Sequence, residues 1–232
     1  MSISKYSILS TVGRKFLLAI TGLCLFGFII VHLIGNLLLL VGPDAFNAYA
    51  HKLMSLGPAL YVAEIILLSI FLIHMVSAIS VTWSNWKARP GGYKKSTSQG
   101  DPSRMTLSSK TMIWTGLVLL VFLIVHLITF KYGPGVEEGY VANLEGEQVR
   151  DLYRLVVEWF SNGLYVAYYV LSMGFLGFHL RHGFWSAFQS LGGFHPRFTP
   201  VAYALGVAAG VILAGGFLGL PVWFFLVGGV PS

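Results

Sequence analysis

The chain has 232 residues, 56% of them hydrophobic and only 10% Asp, Glu, Lys or Arg, against about 25% charged in an ordinary soluble domain. That balance points to a membrane domain, and the length suits a single one. The formal charge is +6, but the basic residues stand between long apolar runs rather than in a patch, which argues against a nucleic-acid partner.

Five apolar stretches follow one another, at 16–41, 58–82, 111–130, 159–180 and 200–225. Each meets or exceeds the roughly 20 residues needed to cross the hydrocarbon core as a helix. The first is too long for the core of a signal peptide, and four more follow it, so it is expected to stay in the protein. It contains Cys24, the one cysteine, which leaves no partner for an intrachain disulfide and no cysteine-based zinc site. The connection after it carries Asp44, Asn47 and His51. The second stretch contains Glu64, the one acid in any of the five, and a polar, glycine-rich segment follows it. Between the third and fourth stretches lies the longest of the opposite-side connections, 133–158. Within it, 147–158 (EQVRDLYRLVVE) has helical spacing at Val149, Leu152, Val156 and Val157, predicting a surface helix or an outward extension of the fourth span. Trp83, Trp86 and Trp159 sit at span ends, where indole rings favour the interface. The fifth stretch contains Gly215, Gly216, Gly219 and Pro221; it is expected to end early or kink at the proline, with an interfacial segment through Trp223 and Phe224. Small residues such as GVAAG at 206–210 allow close helix contacts. No internal sequence repeat stands out.

Charge sets the expected orientation. Lys5, Arg14, Lys15, Lys87, Arg89, Lys94, Lys95, Arg104, Lys110, Arg181 and Arg197 fall on one side with a single acid, Asp101. The other side carries Lys52, Lys131, Arg150 and Arg154 against Asp44, Glu137, Glu138, Glu145, Glu147, Asp151 and Glu158. The positive-inside rule then puts the N-terminus in the cytoplasm and the C-terminus outside, as five spans require.

Four histidines lie in four different spans: His32, His74, His126 and His179. An ionisable side chain within a membrane is rare and is a functional hypothesis by default. Threading the spans alternately outward and inward puts His32 and His126 in an outer layer and His74 and His179 in an inner one. Two imidazoles per layer is the arrangement that ligates two b-type haems, one between each pair. Such iron has no open position, so electron transfer is the expected role. Gly22, Gly27 and Gly35 on the first span, and Gly174, Gly177 and Gly183 on or just after the fourth, are expected to thin the helices for a flat macrocycle. His182 lies three residues beyond His179 and competes for its role. A lone buried histidine can instead be a polar link between helices, but four in matched layers make that reading weak.

Four stretches carry a resemblance: GRKFLLAITGLCLFGFIIVHLIGN at 13–36, FLIHMVSAI at 71–79, FLIVHLITF at 122–130 and HLRHGFWSAFQSLG at 179–192. Together they resemble the succinate dehydrogenase/fumarate reductase cytochrome b subunit of the single-polypeptide, di-haem class. The resemblance implies an all-α bundle of five transmembrane helices holding two haem b groups in the cell inner (cytoplasmic) membrane. It implies proximal haem ligands at His74 and His179 and distal ones at His32 and His126. The family's H-x-x-x-G pattern fits His179 and Gly183, which favours His179 over His182. Gly177 stands where some relatives carry an acidic residue, which puts a proton route through such a residue in doubt. The resemblance further implies a flavoprotein subunit and an iron–sulfur subunit on the cytoplasmic side, holding the FAD and the clusters, with menaquinone or another quinone as the membrane substrate. The isolated chain is not expected to oxidise succinate. A dimer of complexes is left open.

Arg14, Lys15, Lys110 and Arg181 lie near span ends and are candidates to pair with haem propionates, as is His182. Glu64, His51, Asp44 and Asn47 are candidates for quinone contact or proton transfer; the sequence does not choose among them. Two rivals stay in view: the di-haem anchor of another quinone-linked dehydrogenase or hydrogenase, and a haem-free membrane scaffold.

Overall fold

The computed structural model describes residues 10–87, 107–193 and 195–227, the side chains of 107–110 excepted. Of the charges used above for orientation, Lys5, Arg89, Lys94, Lys95, Asp101 and Arg104 lie outside the described residues, as does the side chain of Lys110.

Seven helices are described: α1 (Thr11–Asn36), α2 (Pro43–Met54), α3 (Pro58–Lys87), α4 (Leu107–His126), α5 (Leu152–Phe160), α6 (Gly163–Ser190) and α7 (Thr199–Val227). A 3-10 turn, Leu37–Leu40, prolongs α1, and a π-helical turn, Leu127–Lys131, prolongs α4. Among the described residues, five helical segments are long and apolar enough to cross a membrane: Thr11–Leu40, Pro58–Lys87, Thr111–Lys131, Gly163–Ser190 and Thr199–Val227. The protein is thus an α-helical, multi-pass membrane bundle. Its surface agrees, since Val31, Ile34, Ile65, Leu68, Val211 and Ile212 are each more than half exposed. A belt of that kind is unfavourable in water and suited to lipid.

The helix ends follow local chemistry. Ser10 caps α1 by accepting from the Gly13 N–H at 3.1 Å. Gly42, at φ +134°, admits the chain to α2, whose first residue is Pro43 and whose first turn carries Asp44. The Asp151 carboxylate caps α5 through the Arg154 N–H, and the Asn162 side-chain oxygen caps α6 through the N–H groups of Leu164 and Tyr165. Asn162 explains why the fourth span begins at Gly163 rather than at 159. Trp159 belongs instead to α5, and α6 continues past the expected end at 180 to Ser190, because Arg181 and His182 do not break a helix.

The segment 147–158 also differs from its predicted helix. Glu147–Arg150 is a strand, β2, paired antiparallel with β1 (Val141–Leu144), and only the part from Leu152 is helical. Glu145 (φ 53°) and Gly146 (φ 92°) make the two-residue turn between the strands, a geometry that needs positive φ at both positions. Asn143 steadies it by accepting from the Gly146 N–H. α7 runs unbroken through the buried Pro221, so neither an early end nor a separate interfacial segment forms at that point.

α6 is the hub of the bundle, packing on α7, α1 and α4, while α1 also packs on α3. The GVAAG stretch makes a close helix contact, and its partner is α6. A Cβ on Gly210 would lie 2.9 Å from the Gly177 carbonyl oxygen, and one on Gly206 would lie 3.0 Å from that of Arg181, so backbone meets backbone there. Leu33, Met173, Leu176, Leu180 and Leu213 form the core between α1, α6 and α7. α2, α5 and the hairpin cover one end of the bundle. Leu39, Phe46, Val156, Val157, Phe160 and Phe224 are among the buried residues that join this cap to α6 and α7. We call this the capped end and the opposite one the basic end.

Candidate functional site

The four span histidines meet as two pairs. His32 of α1 and His126 of α4 have ring centroids 5.8 Å apart, at 85° to one another, toward the capped end. His74 of α3 and His179 of α6 have centroids 6.4 Å apart, at 65°, toward the basic end. The expected partners are the observed ones. Each pair spans a diagonal of the bundle: α1 and α4, like α3 and α6, are not among the helix pairs that pack extensively. The rings therefore approach one another across a gap between helices.

The basic-end pair is tied down by hydroxyls. The His74 Nδ1 lies 3.3 Å from the Thr21 Oγ1, and the His179 Nδ1 lies 3.1 Å from the Thr115 Oγ1. Both threonines are buried. Thr21 donates its own hydrogen to the Leu17 carbonyl at 2.7 Å, and Thr115 donates to the Met112 carbonyl at 3.0 Å. A hydroxyl has one hydrogen to give, so each oxygen is left to accept from the facing imidazole. Nδ1 then carries the proton, and Nε2 keeps its lone pair.

The capped-end pair sits among aromatic rings. Phe28 stacks on His32 at 5.3 Å and Phe217 lies 5.8 Å away, while Phe122 and Phe130 flank His126. The His126 Nδ1 is 2.8 Å from the Tyr169 hydroxyl. Directly after His126 the helix widens into its π turn, closed by the Tyr132 N–H on the Leu127 carbonyl at 2.9 Å. Such turns are frequent at functional sites. From Thr21 to His32, from Thr115 to His126 and from Tyr169 to His179 the chain advances eleven, eleven and ten residues. At 1.5 Å per residue all three helices put the layers about 15–17 Å apart.

The expected thinning by glycine divides into separate tasks. A Cβ on Gly22 would stand 3.2 Å from the His74 Cε1, so this glycine makes room for the ring. Gly35 admits the Tyr49 ring of α2, and Gly177 meets α7, whereas Gly27 and Gly174 have open space beside them. Gly116 was not among the expected positions, yet it stands beside His179 as Gly22 stands beside His74, at 3.6 Å.

The other candidates scatter. His182, one turn along α6 from His179, joins neither pair. Arg14 donates to the Ser80 hydroxyl of α3, while its Nε is buried without a hydrogen-bond partner among the described residues. Arg181 donates to the Tyr203 hydroxyl of α7 and lies over that ring. Lys15 is exposed. At the capped end, Glu64 is paired with Lys131, whose ammonium also lies 6.0 Å from the Tyr61 ring centre. The expected cluster on α2 is divided by the fold. Asp44 is exposed, and the His51 Nε2 lies 3.6 Å from a Glu147 carboxylate oxygen. Asn47, only 1% exposed, donates to Asp151 at 2.8 Å and accepts from the Tyr153 N–H at 2.9 Å. Its amide is committed to joining α2 to α5.

No family model matches the chain, and no curated protein or solved structure matches it. Among the described residues no group of three or more His, Cys, Asp or Glu gathers as a metal cluster. The chemistry available is that of two separate imidazole pairs. An imidazole nitrogen binds a first-row transition metal at about 2.0–2.1 Å. Adding about 1 Å from each nitrogen to its ring centre puts two imidazoles on one ion about 6 Å apart, close to both observed separations. The free Nε2 of His74 and His179, and the room left by Gly22 and Gly116, suit the same arrangement.

Proposed function

We propose that this protein is the membrane-anchor cytochrome b subunit of a succinate:quinone oxidoreductase, holding two haem b groups, one between His32 and His126 and one between His74 and His179. The observation that carries the reading is the pair of imidazole couples, each at a spacing suited to one iron and each drawn from helices on a diagonal. Haem b supplies one-electron transfer through its iron when bound. The chain's part is to hold the ligands, set their hydrogen bonds and exclude water. Arg14 lies seven residues before Thr21, about 10 Å nearer the basic end, and its unpartnered Nε suits a propionate carboxylate; the Arg181 guanidinium is already engaged by Tyr203.

In this reading the basic end faces the cytoplasm of a cell whose inner membrane the protein spans. There it docks an iron–sulfur subunit joined to a flavoprotein, and electrons pass between that subunit and a quinone such as menaquinone. Glu64, ion-paired with Lys131, and His51, beside Glu147, are half-buried near the capped end and are the side chains assigned to a quinone or its proton. The resemblance at 13–36 and 179–192 supports this assignment over another quinone-linked dehydrogenase or a hydrogenase.

The test is a reduced-minus-oxidised spectrum with quantitative haem extraction on the purified complex, repeated for His32→Ala and His74→Ala. Two b haems in the parent, and one in each variant, is the expected result. A parent without haem overturns the assignment and leaves a structural anchor. Two haems without a co-purifying flavoprotein and iron–sulfur protein overturn only the succinate-linked part.

A further inference from the structure

The two contacts that hold the basic-end histidines are copies of one another. In α1, residues 21–34 read TGLCLFGFIIVHLI; in α4 and the π-helical turn that prolongs it, residues 115–128 read TGLVLLVFLIVHLI; ten of the fourteen positions are identical. Each copy begins with a threonine whose oxygen meets the Nδ1 of a histidine on another helix. Each continues with a glycine that lies beside that same imidazole. Each then places its own histidine eleven residues on, in the other layer. Eleven residues are just over three full turns at 3.6 residues per turn, so threonine and histidine lie on one face, about 16 Å apart. This is an internal repeat that apolar composition conceals. Leucine, isoleucine and valine recur in any span, and the shared Thr-Gly acquires meaning only once both threonines are seen against imidazoles.

We propose that Thr21 and Thr115 are positioning residues for the basic-end iron site. Each accepts the Nδ1 proton of the histidine facing it, which fixes the tautomer and turns the Nε2 lone pair of His74 and of His179 toward a shared metal. This rests on the di-haem reading above. A metal-ligating histidine nearly always gives its other N–H to an acceptor, which orients the ring and raises its basicity, and loss of such an acceptor typically costs about 10–100-fold in metal affinity. A threonine that merely bonds back to the carbonyl one turn before it is common in helices. That simpler role explains the bonds to Leu17 and Met112. It does not explain why both threonines also stand at an imidazole nitrogen, each followed by a glycine that clears the ring. The capped-end pair has no such copy: the corresponding contact on His126 is the Tyr169 phenol, from α6.

The experiment is a potentiometric titration followed by optical and low-temperature EPR spectra. It uses the intact complex carrying the parent chain, Thr21→Val, Thr115→Val, Thr21→Ser or Thr115→Ser. The valine variants are expected to raise the midpoint potential of the basic-end centre and move its low-spin g values, leaving the other centre at parental values. Serine, which keeps the hydroxyl, is expected to restore both. Where a valine variant loses the basic-end haem outright, recovery of that haem in the serine variant carries the same conclusion, and loss in serine as well overturns it in favour of packing. Valine variants in which both centres stay parental, or in which both shift equally, overturn it too. A parent holding two haems with unmoved valine variants sinks this inference alone, whereas a parent with no haem sinks the di-haem reading beneath it.

Discussion

The basic-end pair, His74 and His179, is held by two aliphatic hydroxyls on α1 and α4, whereas the capped-end pair, His32 and His126, is packed among Phe28, Phe122, Phe130 and Phe217 with a single phenol at His126. The two sites share residue type and have similar ring spacing, yet one is oriented chiefly by hydrogen bonds and the other chiefly by ring packing. The capped-end pair also lies beneath a buried cap that resembles the core of a soluble protein; the basic-end pair has no such cover among the described residues. On the proposed di-haem reading, two centres with the same ligands would differ in potential and stability because their surroundings differ.

On the di-haem proposal, the largest effect belongs to the four span histidines. His179→Ala is expected to abolish the basic-end centre and His126→Ala the capped-end one, each halving extracted haem. Loss of both centres in either variant would show that the two layers do not form independently. Next comes the cap. Asn47→Ala leaves the buried Tyr153 N–H and the Asp151 carboxylate short of a partner, at a cost of about 2–4 kcal/mol. Faster hydrogen exchange in α2 and α5, with the spectrum of the basic-end centre unchanged, is the expected signature. Third is Gly22→Ala, whose Cβ would stand 3.2 Å from the His74 ring, against 3.6 Å for Gly116→Ala at His179. The first substitution should perturb the basic-end EPR signal and cost about 1–2 kcal/mol of overpacking; the second should be nearly silent. Equal effects from the two would contradict that ordering.

Tyr169→Phe removes the 2.8 Å contact to His126 and should cost about 1 kcal/mol. It is expected to move the potential of the capped-end centre only, and movement of the other centre would break the separation of the layers. The smallest effect is one of pH. The Tyr140 hydroxyl and the Arg154 guanidinium donate to Glu158 at 2.6 and 2.7 Å, and the Tyr140 bond leads in holding that carboxyl below its ordinary 4.5. A depressed carboxylate contributes its full stabilisation above pH 4.5 and loses it as pH falls through the lower folded value. Because these groups lie at the surface, where solvent screens them, the contribution is small. Cap stability followed by hydrogen exchange should therefore weaken below pH 4.5 in the parent and less so in Tyr140→Phe.

The cap and the hydroxyls are the least legible parts of the sequence. Val149 and Leu152 have helical spacing, but Gly146 after Glu145 supplies a two-residue turn, and pairing with Val141–Leu144 takes the segment into a hairpin. Hydropathy ends the fourth span at Arg181, while the helix continues because its backbone hydrogen bonds do not depend on apolar side chains. Pro221 suggests an end, yet packing against its neighbours keeps α7 whole. Asn47 on its exposed-looking loop offers polar chemistry, and the fold uses that amide to join α2 to α5.

The five spans and the division of the histidines into two layers follow from sequence alone, because hydrocarbon thickness sets span length and a fixed rise per residue sets depth along each helix. Which helices lie diagonally, and so which rings face one another at 5.8 and 6.4 Å, depends on the close α6–α7 contact and the arrangement of α1, α3 and α4 around α6. Tertiary structure alone also chose Thr21, Thr115 and Tyr169 from among the many hydroxyls of the chain. A hydroxyl in an apolar run carries no periodic signal of its own, and it acquires a role only when packing brings a nitrogen within hydrogen-bonding distance.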